Sequence, residues 1–184
     1  MEPPAITRHR RPFLAPLWIS LLALVVLALL ALSFYRTAGT TVVLLVQAGA
    51  REPGQISDPP LSPEGEERAQ HLAQVLGERN GALGVDLIYV TPDQRAQQTA
   101  APLATRLQRP AQVFAADQAA ATAAHVLHEQ AGRTVLVVAD GATFTQLLQA
   151  LGVRELSGAT DDAAVTYLIS VPSFGRARVL RLYL

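Results

Sequence analysis

Apolar residues recur along this chain in two distinct rhythms. The first is a continuous run. From Pro12 to Tyr35 there are 24 consecutive uncharged residues, and the stretch LWISLLALVVLALLALSF is apolar almost throughout. At about 1.5 Å per residue, roughly 20 helical residues cross a hydrocarbon core of about 30 Å. Trp18 and Tyr35 stand near the two ends, where amphipathic rings prefer the membrane interface. The pattern predicts a transmembrane helix over 13–36, preceded by a short basic tail over 1–12. Arg8, Arg10 and Arg11 lie before it and only Arg36 follows closely. That bias puts the N-terminus in the cytoplasm and the rest of the chain outside it, in a bacterium on the periplasmic side of the inner membrane. A cleaved signal peptide is the alternative, with Ala31 and Ser33 as small residues for cleavage. Its apolar core would exceed the usual 7–15 residues or so.

The second rhythm fills 40–184, where short apolar runs alternate with helical stripes. TTVVLLV (40–46) is β-branched and apolar on both faces, the mark of a buried parallel strand. After a polar loop, Ser62 reads as an N-cap with Pro63 at the first helical position. Ala69, Leu72, Ala73 and Leu76 then share one helix face. VDLIYV (85–90) is a second strand. A helix follows Thr91-Pro92 with Ala96, Thr99, Ala100, Leu103 and Leu107 in its stripe. A short strand is expected near Val113 and an Ala-rich helix over 117–130. TVLVVA (134–139) is another buried strand, followed by a helix from Thr143. AVTYLISV (164–171) and RARVLRLYL (176–184) alternate more and read as a hairpin at a sheet edge. The expected fold is α/β: a three-layer α/β/α open, mostly parallel sheet with a C-terminal hairpin. Ligands bind beyond the carboxyl ends of the strands in such sheets. Three loops therefore matter most: 47–51, 91–95 and 140–143.

Charge narrows the chemistry. Residues 1–39 carry four Arg against one Glu, and residues 40–184 carry 11 Arg against 14 acids. The folded part is mildly acidic, so nucleic acid is not expected as a partner. There is no Cys, which removes thiol nucleophiles and zinc-thiolate sites. All 15 basic residues are Arg, so Schiff-base chemistry and a Walker-type phosphate loop are excluded as well. No metal and no cofactor is expected.

LSPEGEERAQHLAQVL (61–76), TPDQRAQQTAAPLA (91–104) and TVLVVADGATF (134–144) resemble, in order and spacing, three segments of the histidine phosphatase, or phosphoglycerate-mutase-like, superfamily. The resemblance covers about 41–151. It implies a pocket of two Arg and two His, with one His as the nucleophile that becomes phosphorylated. This sequence departs from that pattern. The family carries Arg-His-Gly or Arg-His-Ala directly after the first strand. Here Gln47 stands in the Arg position and Ala48 in the nucleophile position, followed by Gly49, Ala50 and Arg51. The second His usually follows the strand matching TVLVVA, where Asp140 stands instead. Only Arg95 of the four remains.

A methyl group cannot attack phosphorus, and Gln lacks the charged fork with which Arg grips phosphate. Asp140 would place a like charge beside phosphate oxygens. Two such charges about 4 Å apart repel by about 4 kcal/mol at an effective dielectric near 20, about three decades in affinity. The degenerate pocket thus comprises Gln47, Ala48, Arg51, Arg95 and Asp140, with no intact catalytic residue. The remaining histidines, His9, His71, His125 and His128, read as helix-surface or tail residues. Arg95 could instead be a helix-start charge, Arg51 a solvated loop residue, and Asp140 the cap of its own helix. As a counter-charge, Asp140 is expected within salt-bridge reach of Arg95 or Arg51. The resulting expectation is a membrane-anchored pseudoenzyme acting as a binding or scaffold module toward a protein partner. A phosphoester hydrolase with a rearranged site, Asp140 serving as general base, is the alternative.

Overall fold

The computed structural model describes residues 17–37, 39–50, 57–78, 84–153, 165–172 and 177–183. The chain divides into two compact units, Met1–Tyr35 and Arg36–Leu184. Helix α1 spans Leu17–Thr37, and its large apolar side chains from Trp18 to Leu32 are exposed. Among the described residues no helix is long and apolar enough to cross a membrane. The side chains described in α1 run only from 18 to 33. The expected basic tail over 1–12 lies outside the described residues.

The second unit follows the alternation of its sequence. Strands β1 (Thr41–Gln47), β2 (Leu87–Val90), β3 (Ala111–Val113) and β4 (Thr134–Ala139) alternate with α2 (Pro63–Leu76), α3 (Gln94–Leu107) and α4 (Ala119–Glu129). Helix α5 (Gly141–Ala150) and strands β5 (Val165–Val171) and β6 (Arg178–Tyr183) complete it. The six strands form one sheet in the order β3-β2-β4-β1-β5-β6. Because both faces of β1 are apolar, both are covered. Leu44 and Val46 pack with Leu72, Leu76, Ala100 and Leu103 of α2 and α3. Val43 and Leu45 pack with Ala123, Val126, Phe144 and Leu147 of α4 and α5. This is the three-layer arrangement expected of the pattern.

The sheet is mixed, where a mostly parallel one was expected. The pairs β1–β4, β2–β4 and β2–β3 are parallel, while β1–β5 and β5–β6 are antiparallel. The antiparallel part is the C-terminal hairpin, which lies at one end of the sheet as expected. Its first strand pairs with β1, the last of the four parallel strands, over Thr41↔Val171 to Val46↔Thr166.

Element ends shift for identifiable reasons. Strand β2 starts at Leu87, later than Val85, because Asp86 turns its side chain to the β4 backbone: its Oδ2 accepts the Thr134 N–H at 3.1 Å. Helix α3 starts at Gln94, with extended residue Asp93 at its N-cap. Helix α5 starts at Gly141, two residues before Thr143, because Asp140 is itself the cap. The expected cap of α2 is present: Ser62 Oγ accepts the Gly65 N–H at 3.2 Å.

Candidate functional site

The carboxyl ends of three adjacent strands, β2, β4 and β1, bring the three expected loops together. Gln47 is level with Ala139 and Val90 with Val138. The Ala48 N–H donates to the Ala139 carbonyl at 2.8 Å, and the Thr91 N–H to the Val138 carbonyl at 3.1 Å. The chain thus continues strand-like bonding one residue beyond each strand before it turns. Ala48 is buried, with its methyl packed in the α2–α3 side of the core.

The loop after β1 is held by α3. Arg95 donates from Nη1 to the Gly49 carbonyl at 3.2 Å. Thr99 Oγ1 accepts the Gly49 N–H at 3.1 Å and donates to the Arg95 carbonyl at 2.7 Å. Further along, the Leu61 N–H donates to Gln98 Oε1 and the Gln94 N–H to Asp58 Oδ1, each at 2.8 Å. Gly65 lets α2 approach the same loop. A Cβ there would lie 3.1 Å from the Ala50 carbonyl oxygen, and the Ser62 N–H donates to that carbonyl at 3.0 Å. Sequence reading singled out Arg95 here. It missed the roles of Thr99, Gln98, Asp58 and Gly65; of these only Thr99 was noticed, as part of the α3 stripe.

Arg95 therefore points toward the 47–50 loop, as the pocket reading requires. Its Nε is buried without a hydrogen-bond partner. An unpaired buried donor on a charged group is costly, which makes this nitrogen the feature of the site best suited to an anion. Asp140 behaves otherwise. Its Oδ1 accepts the Thr143 N–H at 3.2 Å, closing the first turn of α5. Among the described residues no ion pair joins it to Arg95. The expected counter-charge contact with Arg95 is thus replaced by self-capping, because the Asp140 backbone is extended (φ −72°, ψ 169°) and aims the carboxylate at its own helix. Arg51 lies outside the described residues. Gln47, at the strand end, brings Nε2 within 3.6 Å of where a Gly141 side chain would begin.

Behind the loop, Gln47, Gly49, Gly65, Arg68, Thr99 and Thr166 border a cavity of only about 10 Å³, room for a single water at most. Among the described residues no group of His, Asp or Glu is arranged to hold a metal. His71 lies on α2, and His125 and His128 on α4. His125 pairs through Nδ1 with Glu129 at 3.3 Å and meets the Tyr89 ring edge-on. The Tyr89 hydroxyl titrates above its ordinary value, chiefly through burial; Glu129 adds to the shift and Arg133 opposes it.

The capping role predicts a distinct mutational signature. Asp140→Asn keeps an oxygen acceptor and should leave thermal stability nearly unchanged, whereas Asp140→Ala should cost about 1 kcal/mol. Equal losses for both variants in thermal unfolding would mean that the charge, not the cap, is what matters.

Solved structures share this fold. The protein histidine phosphatase SixA complexed with tungstate superposes with a TM-score of 0.62 at 18% identity, over 77% of this chain and 96% of that one. A mycobacterial glucosyl-3-phosphoglycerate phosphatase gives 0.60 at 17%, over 78% and 99%. A putative phosphohistidine phosphatase from Agrobacterium tumefaciens gives 0.55 at 20%, over 77% and 97%. No curated protein matches the chain in sequence. The family model of the histidine phosphatase superfamily (branch 1) matches residues 47–118. Over that stretch the chain is similar to the histidine phosphatase superfamily. The stretch that carries the histidine phosphatase match begins at Gln47 and includes Arg95 and Thr99. Asp140 lies beyond it.

Proposed function

We propose that this chain is a membrane-anchored, non-catalytic histidine phosphatase-like domain that acts as a binding or scaffold module. The observation that carries the reading is Ala48. At the end of β1, where the superfamily resemblance puts the phosphorylated histidine, stands a buried methyl group. Gln47 and Asp140 reinforce it, one without charge and the other with the wrong charge for phosphate. The Asp140 carboxylate is occupied in capping α5, which also disfavours its use as a general base.

The runner-up, a phosphoester hydrolase with a rearranged site, draws support from the unpaired Arg95 Nε. The solved relatives named as phosphatases fit it too. Turnover of generic phosphoesters by the full chain in detergent separates the readings. The binding-module reading expects background rates for wild type and Arg95→Ala alike. Turnover that disappears with Arg95→Ala would establish the hydrolase instead.

The anchor is part of the same proposal. Its support is in the sequence: the uncharged run from Pro12 to Tyr35 has 24 residues, about 36 Å as a helix at 1.5 Å each, more than a hydrocarbon core of about 30 Å. Its sequence is apolar on every side, as a lipid-facing helix should be. The Arg bias at its N-terminal flank supports an N-terminus in the cytoplasm and a domain beyond the bacterial inner membrane, in the periplasm. A reporter fused after Leu184 should be non-cytoplasmic and sediment with membranes. Recovery of a soluble, shortened species would show cleavage and contradict the anchor.

A further inference from the structure

The sheet ends at β6, and that edge is built unlike the rest of the domain. Strand β6 pairs with β5 only, so among the described residues its outer row of backbone groups has no strand partner. It is six residues long with no Pro or Gly. Leu180 and Tyr183 stand 56% and 72% exposed on its opposite faces. Natural edges are usually blunted by brevity, proline, bulges or charges projecting across them. The other edge, β3, is only three residues long. On β6 the charges are Arg178 and Arg181. The Arg181 guanidinium does not project past the edge but lies over the Tyr167 ring, 5.7 Å from its centre.

Charge decides what can pair there. Residues 176–184 hold three Arg and no acid, while residues 40–175 hold eight Arg against 14 acids. The edge is a basic strip on an acidic domain. A second copy paired through β6 would offer no acid to either arginine at any register, and some registers would set arginine against arginine. We propose that β6 is a docking strand for an extended, acidic segment of a partner protein, which adds to the sheet by backbone pairing. Acids three residues apart would face Arg178 and Arg181, and apolar residues would cover Leu180 and Tyr183. The inference goes beyond the reading of the strand-end site and holds whether or not that site turns over phosphoesters.

The test uses the full chain in zwitterionic detergent and two capped hexapeptides. One is Glu-Val-Thr-Glu-Val-Thr and the other its Lys-for-Glu counterpart. Amide hydrogen exchange over 178–183 should slow by at least about tenfold with the acidic peptide at low salt, and not with the basic one. The double variant R178E/R181E should reverse that preference, and R178Q alone should weaken it without touching the Arg181–Tyr167 contact. Equal protection by both peptides, or none by either, overturns the proposal. So does protection that rises with protein concentration without peptide, which would assign the edge to a second copy. Protection produced by anionic lipid added in place of peptide would assign it to a membrane surface and also overturn it.

Discussion

Incubated with a radiolabelled phosphoramidate donor, this protein should acquire no acid-labile label. A phosphohistidine intermediate needs an imidazole nitrogen held in line with phosphorus, and nothing at the end of β1 provides one. The described imidazoles sit on α2 and α4, and His125 is paired with Glu129. The effect is all-or-none in chemical terms, because no pKa adjustment makes a methyl group nucleophilic. Electrostatics point the same way. With Gln47 and Asp140 standing where the resemblance puts an Arg and a His, the site has lost cationic groups that would stabilise a transferring phosphoryl group. Label that survives in base, is lost in acid and maps to a histidine would defeat the non-catalytic reading. Label abolished by His71→Asn would identify the substitute nucleophile.

The second large expected effect concerns Thr99. Its hydroxyl bonds at once to the Gly49 N–H and the Arg95 carbonyl, both in the buried seam between α3 and the loop after β1. Thr99→Val keeps the shape but leaves the Gly49 N–H without a partner. The cost of an unsatisfied buried donor is about 1–3 kcal/mol. For a domain of this size that lowers the melting temperature by roughly 3–10 °C. Thr99→Ser should lose much less. Thr166 provides the internal control. Its hydroxyl is equally buried but has no hydrogen-bond partner, so Thr166→Val should be neutral or stabilising. Thermal unfolding of the three variants settles the matter: a Thr99→Val protein as stable as wild type would mean that α3 does not hold the loop.

What could be read from the sequence was local. The runs TTVVLLV and TVLVVA are apolar on both faces, and both form buried strands of the sheet interior. Ser62-Pro63 marks the start of α2 because capping acts over three residues. The convergence of Gln47, Arg95 and Asp140 followed from topology, since loops at one end of neighbouring parallel strands must meet. What remained hidden depends on partners far apart in the chain. Gly49 finds Thr99 across 50 residues, Leu61 finds Gln98 across 37, and Gln94 finds Asp58 across 36. No periodicity encodes such bonds. The orientation of Asp140 was a choice between a local cap and a longer-range charge pair, and the cap three residues away won. The pairing of β5 with β1 was also out of reach, because alternation in β5 reveals a strand but not the neighbour beside which it lies.

The most direct test of the central claim, that the strand-end site has given up phosphate chemistry, is a calorimetric titration of the full chain with inorganic phosphate, with tungstate as a second anion. The account predicts no saturable binding through the low millimolar range, the same for wild type and Arg95→Ala. Saturable, stoichiometric binding that Arg95→Ala abolishes would contradict it. It would show that the unpaired Arg95 Nε still serves an oxyanion despite Ala48, Gln47 and Asp140.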